Sequence, residues 1–201
     1  MRTRPVNQRL RIRVLQAGGV AAAALVLLTH PAMVGRVHEF IEAAGFVLVL
    51  ACVAGRMWSI LYVGSRKNRE LVTAGPYSVT RNPLYLFSVI GAVGIGLIHG
   101  SLVTASLFGL LAYLVLSITA AREAEHLETI FGSAYGAYAR RTPMFWPKLS
   151  LYREPDEVAF SPDALRRTFL DGLLFLAVFP AIETIETLQD AGYLPVILGL
   201  F

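Results

Sequence analysis

Cysteine is almost missing from this chain. Cys52 is the only one among 201 residues, and it lies inside an apolar run. A lone thiol excludes a disulfide framework and any cysteine-based metal site. Ionising it within hydrocarbon is opposed by desolvation, so it reads as core filler rather than as a nucleophile. Charge is scarce too: 16% of the residues are Asp, Glu, Lys or Arg, against roughly 25% in soluble domains. The four histidines have no companion ligand spacing, so no metal is expected. There is no internal repeat, no low-complexity tract and no polar stretch long enough for a separate soluble domain. What remains is a 55% apolar chain, and that balance places it in a bilayer as one integrated all-α bundle.

At about 20 residues per crossing, the apolar runs are expected to make about five spans: 14–34, 40–63, 83–98, 102–121 and 168–185. The last is expected to bend at Pro180. Arg2, Arg4, Arg9, Arg11 and Arg13 precede the first run. They read as a topological anchor for a retained span rather than as a nucleic-acid arm or part of a cleaved leader; no nucleic-acid partner is expected. The N-terminus, the 64–82 connection and the 122–167 segment are basic, and alternate crossings put all three on one side. By the positive-inside rule that side is cytoplasmic, with a bacterial inner membrane as the expected location. Residues 193–201 are apolar but too short to cross, which leaves a re-entrant or an interfacial piece.

Two of these basic segments carry chemistry. The first runs from Leu71 to Tyr85. Gly75-Pro76 signals a turn, and Asn82-Pro83 signals a helix start, with Asn as cap and Pro at the first helical position. A helix N-terminus beside Arg81 can seat a carboxylate or phosphate; a plainly capped span with an interfacial arginine fits the same residues. The second runs from Arg122 to Pro147. If it continues the fourth helix to about Tyr138, Glu123, His126 and Ile130 share a face. Glu123 is then either an attractor for a cationic ligand or a solvated helix end. Pro143, Pro147, Pro155 and Pro162 are expected to break any long helix beyond. Tyr135, Tyr138, Phe145 and Trp146 either line a pocket or anchor the loop among the headgroups.

Taken in order, Gly75-Pro76-Tyr77, Arg81-x-Pro83-x-Tyr85, an acidic helix, Phe131-Gly132-x-x-Tyr135-x-x-Tyr138 and Arg141-x-Pro143-x-Phe145-x-Pro147 resemble the isoprenylcysteine carboxyl methyltransferases and the related phospholipid methyltransferases. The resemblance covers about Leu71 to Pro147. It implies a membrane-embedded, S-adenosylmethionine-dependent methyltransferase whose acceptor is an amphiphilic lipid or a lipidated substrate, methylated at a carboxylate or amine on the cytoplasmic face. Tyr77, Arg81, Asn82, Pro83, Tyr85, Glu123, Leu127, Phe131, Tyr135 and Tyr138 are then the expected cofactor-binding residues. Arg81 and the Pro83 helix start would hold the methionyl carboxylate, Glu123 the amino group or ribose, and the aromatic residues the adenine. Arg122, His126 and Arg140 are the expected catalytic residues: an arginine to seat an acidic head group and the imidazole to take a proton.

Two positions depart from the family pattern. Asn82 stands where the family has histidine, and Ala124 where it has a second glutamate, with Glu125 a candidate substitute one residue on. Two other readings fit parts of the same pattern. An NADPH-dependent membrane reductase of the sterol-reductase type shares the C-terminal half but needs more spans. A non-catalytic membrane scaffold would account for Ala124.

Overall fold

The computed structural model describes residues 24, 26–31, 35–64 and 69–200. The span expected over 14–34 therefore lies outside the described residues, except for the helical residues Ala24 and Val26–Leu28 and the strand that follows them. The fold is a helical membrane bundle. Its elements are β1 (Thr29–Pro31), α1 (Arg36–Val63), the four-residue α2 (Pro76–Val79), α3 (Pro83–Ile98), α4 (Leu102–Phe131), α5 (Ser133–Arg141), a 3-10 turn (Leu149–Leu151), α6 (Pro162–Asp190) and β2 (Leu198–Leu200). Among the described residues α1, α4 and α6 are long and apolar enough to cross a bilayer, and α3 is a shorter apolar helix.

Helix lengths decide where the cavity forms. At 1.5 Å per residue, α4 is about 45 Å long and α3 only about 24 Å. They are joined by a three-residue link as an antiparallel hairpin, so Pro83 comes level with about residue 117 of α4. The last turns of α4 then overhang the start of α3 and form a free wall. The hairpin packs against α1 through glycines: a Cβ on Gly45 would meet Gly94 O at 2.6 Å, and one on Gly94 would meet Gly45 O at 2.8 Å. Close packing is thus the role of the α3 glycines. Cys52 is fully buried in the same seam.

Three local expectations change. Helix α4 does not run on to Tyr138 but ends at Gly132, whose φ of +54° lets a glycine turn the chain into α5. Pro162 does not break a helix. It opens α6, where its missing N–H costs nothing, with Ser161 Oγ accepting from Ala164 N at 3.3 Å. The apolar tail folds back at the far end of the bundle, where β2 pairs in parallel with β1, Thr29 against Leu198.

Candidate active site

The overhang closes into a cavity because the segment after α5 is laced onto the turn before α3. Arg81 N donates to Pro143 O at 2.9 Å, and Lys148 N donates to Val79 O at 2.9 Å. Thr80 Oγ1 donates to Phe145 O at 2.8 Å. The Asn82 side chain makes no helix-cap bond; its Nδ2 donates instead to Met144 O at 2.8 Å. That is a correction to the expected cap, and its cause is tertiary: a carbonyl from a segment 62 residues away takes the side chain. Gly75, at φ +57°, turns so tightly over Tyr62 that a Cβ there would meet the ring at 2.3 Å.

Three hydrogen bonds then join the two motif segments. Tyr85 Oη donates to Glu123 Oε2 at 2.8 Å, Arg81 Nη1 to Tyr135 Oη at 3.2 Å, and Tyr138 Oη to Tyr77 O at 2.7 Å. The Arg81 guanidinium also lies 6.0 Å from the centre of the Tyr135 ring, within cation–π range. The cavity so formed measures about 370 Å³, inside the roughly 300–1,000 Å³ of small-molecule sites. All ten expected cofactor residues line it: Tyr77, Arg81, Asn82, Pro83, Tyr85, Glu123, Leu127, Phe131, Tyr135 and Tyr138.

The three expected catalytic residues do not. Arg122, His126 and Arg140 are exposed and stand outside the cavity. The reason is helical phase. The face of α4 turned to the cavity carries Ala120, Glu123, Ala124, Leu127 and Phe131, spaced at three and four residues. His126 and Ile130 lie to one side of that stripe and face out. Glu125 is exposed as well and, about 100° from Ala124, leaves its place unfilled.

Sequence reasoning missed Glu70, from the 64–82 connection, and Ala164, Arg167 and Thr168, from the first turns of α6, all of which line the cavity. The sequence signal for the α6 residues was Ser161-Pro162 as a helix start, which puts the next turns in register with the cavity. Trp146 is exposed but stacks on Tyr113 of α4 at 5.8 Å, so it braces the 143–148 segment.

Burial raises the proton affinity of two cavity phenols well above the ordinary tyrosine range. For Tyr77, burial acts first and the neighbouring Tyr138 and Glu123 add to it. For Tyr138, burial and Tyr135 outweigh the opposing pull of Arg81 and Arg141. Both stay neutral at working pH. Tyr138 serves as a hydrogen-bond donor and both phenols as walls, not as bases.

The family profile for phospholipid methyltransferase matches residues 41–134. Cobalt-zinc-cadmium resistance protein CzcN of Cupriavidus metallidurans is 33% identical over 193 residues, 96% of this chain and 89% of that protein. The chain belongs to the isoprenylcysteine carboxyl and phospholipid methyltransferase family. Nickel-cobalt-cadmium resistance protein NccN of Alcaligenes xylosoxydans xylosoxydans is 34% identical over 151 residues, 75% of this chain and 70% of that one. The protein-S-isoprenylcysteine O-methyltransferase of Schizosaccharomyces pombe is 33% identical over 92 residues, 45% of this chain and 39% of that enzyme. No solved structure matches. As a family member the chain is an integral membrane methyltransferase. Its cavity joins the part matched by the family profile to α6, which lies beyond it.

Proposed function

We propose that the protein transfers a methyl group from S-adenosylmethionine to an amphiphilic, lipid-like acceptor at the cytoplasmic end of the bundle. The observation that carries this reading is the convergence of Arg81, Tyr85, Glu123 and Tyr135 around one cavity. The fit to the cofactor rests on charge and on an unused donor. Arg81 Nε is buried with no hydrogen-bond partner, beside the α3 start, where backbone N–H groups and the helix dipole favour an anion. A methionyl carboxylate satisfies both. Glu123, aimed by Tyr85, supplies the opposite charge for the amino group. Phe131, Leu127 and Tyr135 offer flat apolar walls for the adenine.

When bound, S-adenosylmethionine supplies an electrophilic methyl on a sulfonium. The chain's part is to align the acceptor and to exclude water. Arg122 and Arg140 stand outside the cavity, so the guanidinium assigned to an acidic acceptor head group is Arg167 at the cavity mouth. A carboxylate acceptor needs no base. An amine must lose a proton, and with His126 pointing away the carboxylates Glu70 and Glu123 are the groups left to take it. The metal-resistance role named for the two long relatives gives the cellular setting, with a methylated membrane amphiphile as the product.

The test is to incubate the full-length protein in native lipid with cofactor labelled on its methyl. Label should enter the lipid fraction and disappear with Arg81→Ala. Folded protein that binds no S-adenosylmethionine by calorimetry would overturn the reading, and binding of NADPH instead would favour the reductase.

A further inference from the structure

Beside the wall that Tyr77 and Tyr138 give the cavity lies a second, smaller recess, and none of its residues lines the cavity itself. Thr73, Ser78, Arg141, Thr142, Leu151 and Arg153 form it. They come from three segments: the connection running into α2, the end of α5, and the 3-10 turn with the residues after it. Backbone contacts fix the frame. Gly75 N donates to Arg153 O at 2.7 Å, Arg153 N donates to Ser78 Oγ at 3.0 Å, and Ser78 Oγ donates to Gly75 O at 2.6 Å. The Arg141 guanidinium lies 6.0 Å from the centre of the Tyr138 ring. Two guanidiniums thus line the recess and no carboxylate does. Among the described residues neither has an ion-pair partner. Glu154, next to Arg153, accepts from Tyr62 Oη at 3.5 Å instead.

We propose that Arg141 and Arg153 bind a phosphate group, carried by a lipid head or free in solution. A cleft lined by one sign of charge concentrates the counter-ion, and the planar fork of arginine matches phosphate oxygens two at a time. Two guanidiniums also balance the charge of about −2 on a phosphate monoester near neutral pH. The recess measures about 20 Å³, room for one water-sized group. One phosphate oxygen therefore enters it, among the hydroxyl-bearing Thr73, Ser78 and Thr142, while the others stay at the mouth between the arginines. Exposed Trp146, Leu149 and Tyr152 stand on the same stretch of chain. Side chains of that kind sit at headgroup level, where basic pockets take lipid heads. A bound phosphate would cancel the two like charges and tie together the segments that close the cavity.

The test reads binding, so its outcome is independent of methyl transfer. Full-length protein in phosphatidylcholine nanodiscs is titrated with inorganic phosphate by calorimetry. In parallel, its thermal unfolding is compared between those nanodiscs and others doped with phosphatidic acid, whose head is a bare phosphate. Saturable binding of inorganic phosphate assigns the recess to a free ion, and stabilisation by phosphatidic acid assigns it to a lipid head; either supports the proposal. Arg141→Gln and Arg153→Gln should each weaken phosphate binding about 10–150-fold and remove the stabilisation by phosphatidic acid. Both side chains are exposed, so these proteins should fold and keep the parental melting temperature in phosphatidylcholine alone. Arg140→Gln, exposed and outside the recess, should change neither reading. Failure of both probes would overturn the proposal, as would binding that survives both recess substitutions. Binding lost with Arg81→Ala would place the anion in the cavity and overturn it equally.

Discussion

Glu123→Gln separates the charge of the cavity from its shape. The carboxylate accepts from Tyr85 Oη at 2.8 Å, and a glutamine carbonyl in the same position accepts that bond equally well. The side chains are nearly isosteric, so the α3–α4 contact and the fold should persist, with a melting temperature within a few degrees of the parent. What disappears is the negative charge. A hydrogen bond to a charged group contributes about 1.5–3 kcal/mol, so the dissociation constant for S-adenosylmethionine should rise about 10–150-fold. Calorimetry on nanodisc-embedded protein measures this directly. Repeating it with S-adenosylhomocysteine, which keeps the ammonium but lacks the sulfonium charge, identifies the cation that Glu123 faces. Equal losses for both ligands place it at the amino group; a loss confined to the sulfonium form places it at the reacting centre. Tyr85→Phe is the complementary change, keeping the charge and removing the bond that aims it, and should cost affinity in the same direction. A folded Glu123→Gln protein with parental affinity for both ligands refutes the assignment of this carboxylate to the cofactor.

Alanine at Arg122, His126 or Arg140 should leave both turnover and stability close to parental, within about 0.5 kcal/mol, as for other exposed positions; a large loss of turnover in a labelled-methyl assay would return that residue to the reaction. Gly94→Ala should destabilise the bundle by about 1–3 kcal/mol, since its Cβ meets Gly45 O at 2.8 Å; thermal unfolding in nanodiscs checks it. Alkaline stability should follow the buried phenols. Tyr77 and Tyr138 have raised folded-state values, so their contribution is complete below the unfolded tyrosine value of about 10 and is lost as the pH rises above it. Tyr138→Phe should flatten that loss while weakening the join to Tyr77.

The apolar runs were legible because a bilayer crossing has a fixed length and tolerates few charges, and α3 begins and ends where its Pro83 start and His99-Gly100-Ser101 link placed it. Both motif segments were legible as well, through the Gly75-Pro76 turn, the Pro83 helix start and a family pattern carried by side chains at fixed spacing, though the Asn82 cap was not. Helix phase was not legible. Glu123 lines the cavity while His126 and Ile130 face out, because the side of α4 that faces the cavity depends on where α3 stops and where the segment around Met144 crosses. That crossing is a tertiary event between residues 62 apart, with no local signal. The same holds for Glu70 and Arg167, each brought to the cavity by an element whose own sequence speaks only of helix ends. His99 and Glu186 lie 87 positions apart, and only the packing of α6 against the α3–α4 link brings them face to face.

Ala124 shows what that phase means for the chemistry. It sits on the cavity-facing stripe between Glu123 and Leu127, so a glutamate there would point into the cavity beside Glu123. Glu125 cannot stand in for it, because one residue of rotation carries its carboxylate about 100° round the helix into the exposed face. This cavity therefore draws one carboxylate from α4 and a second, Glu70, from the connection before α3, set against Arg81 and Arg167. Two negative and two positive groups make its wall neutral where a glutamate at position 124 would leave it net acidic. On the proposed reading, a cofactor with two cationic centres and one carboxylate would bring one net positive charge into that neutral wall. On that reading the acceptor expected to balance it is an anion, the charge type that an arginine at the mouth would select and a wall with a third carboxylate would repel.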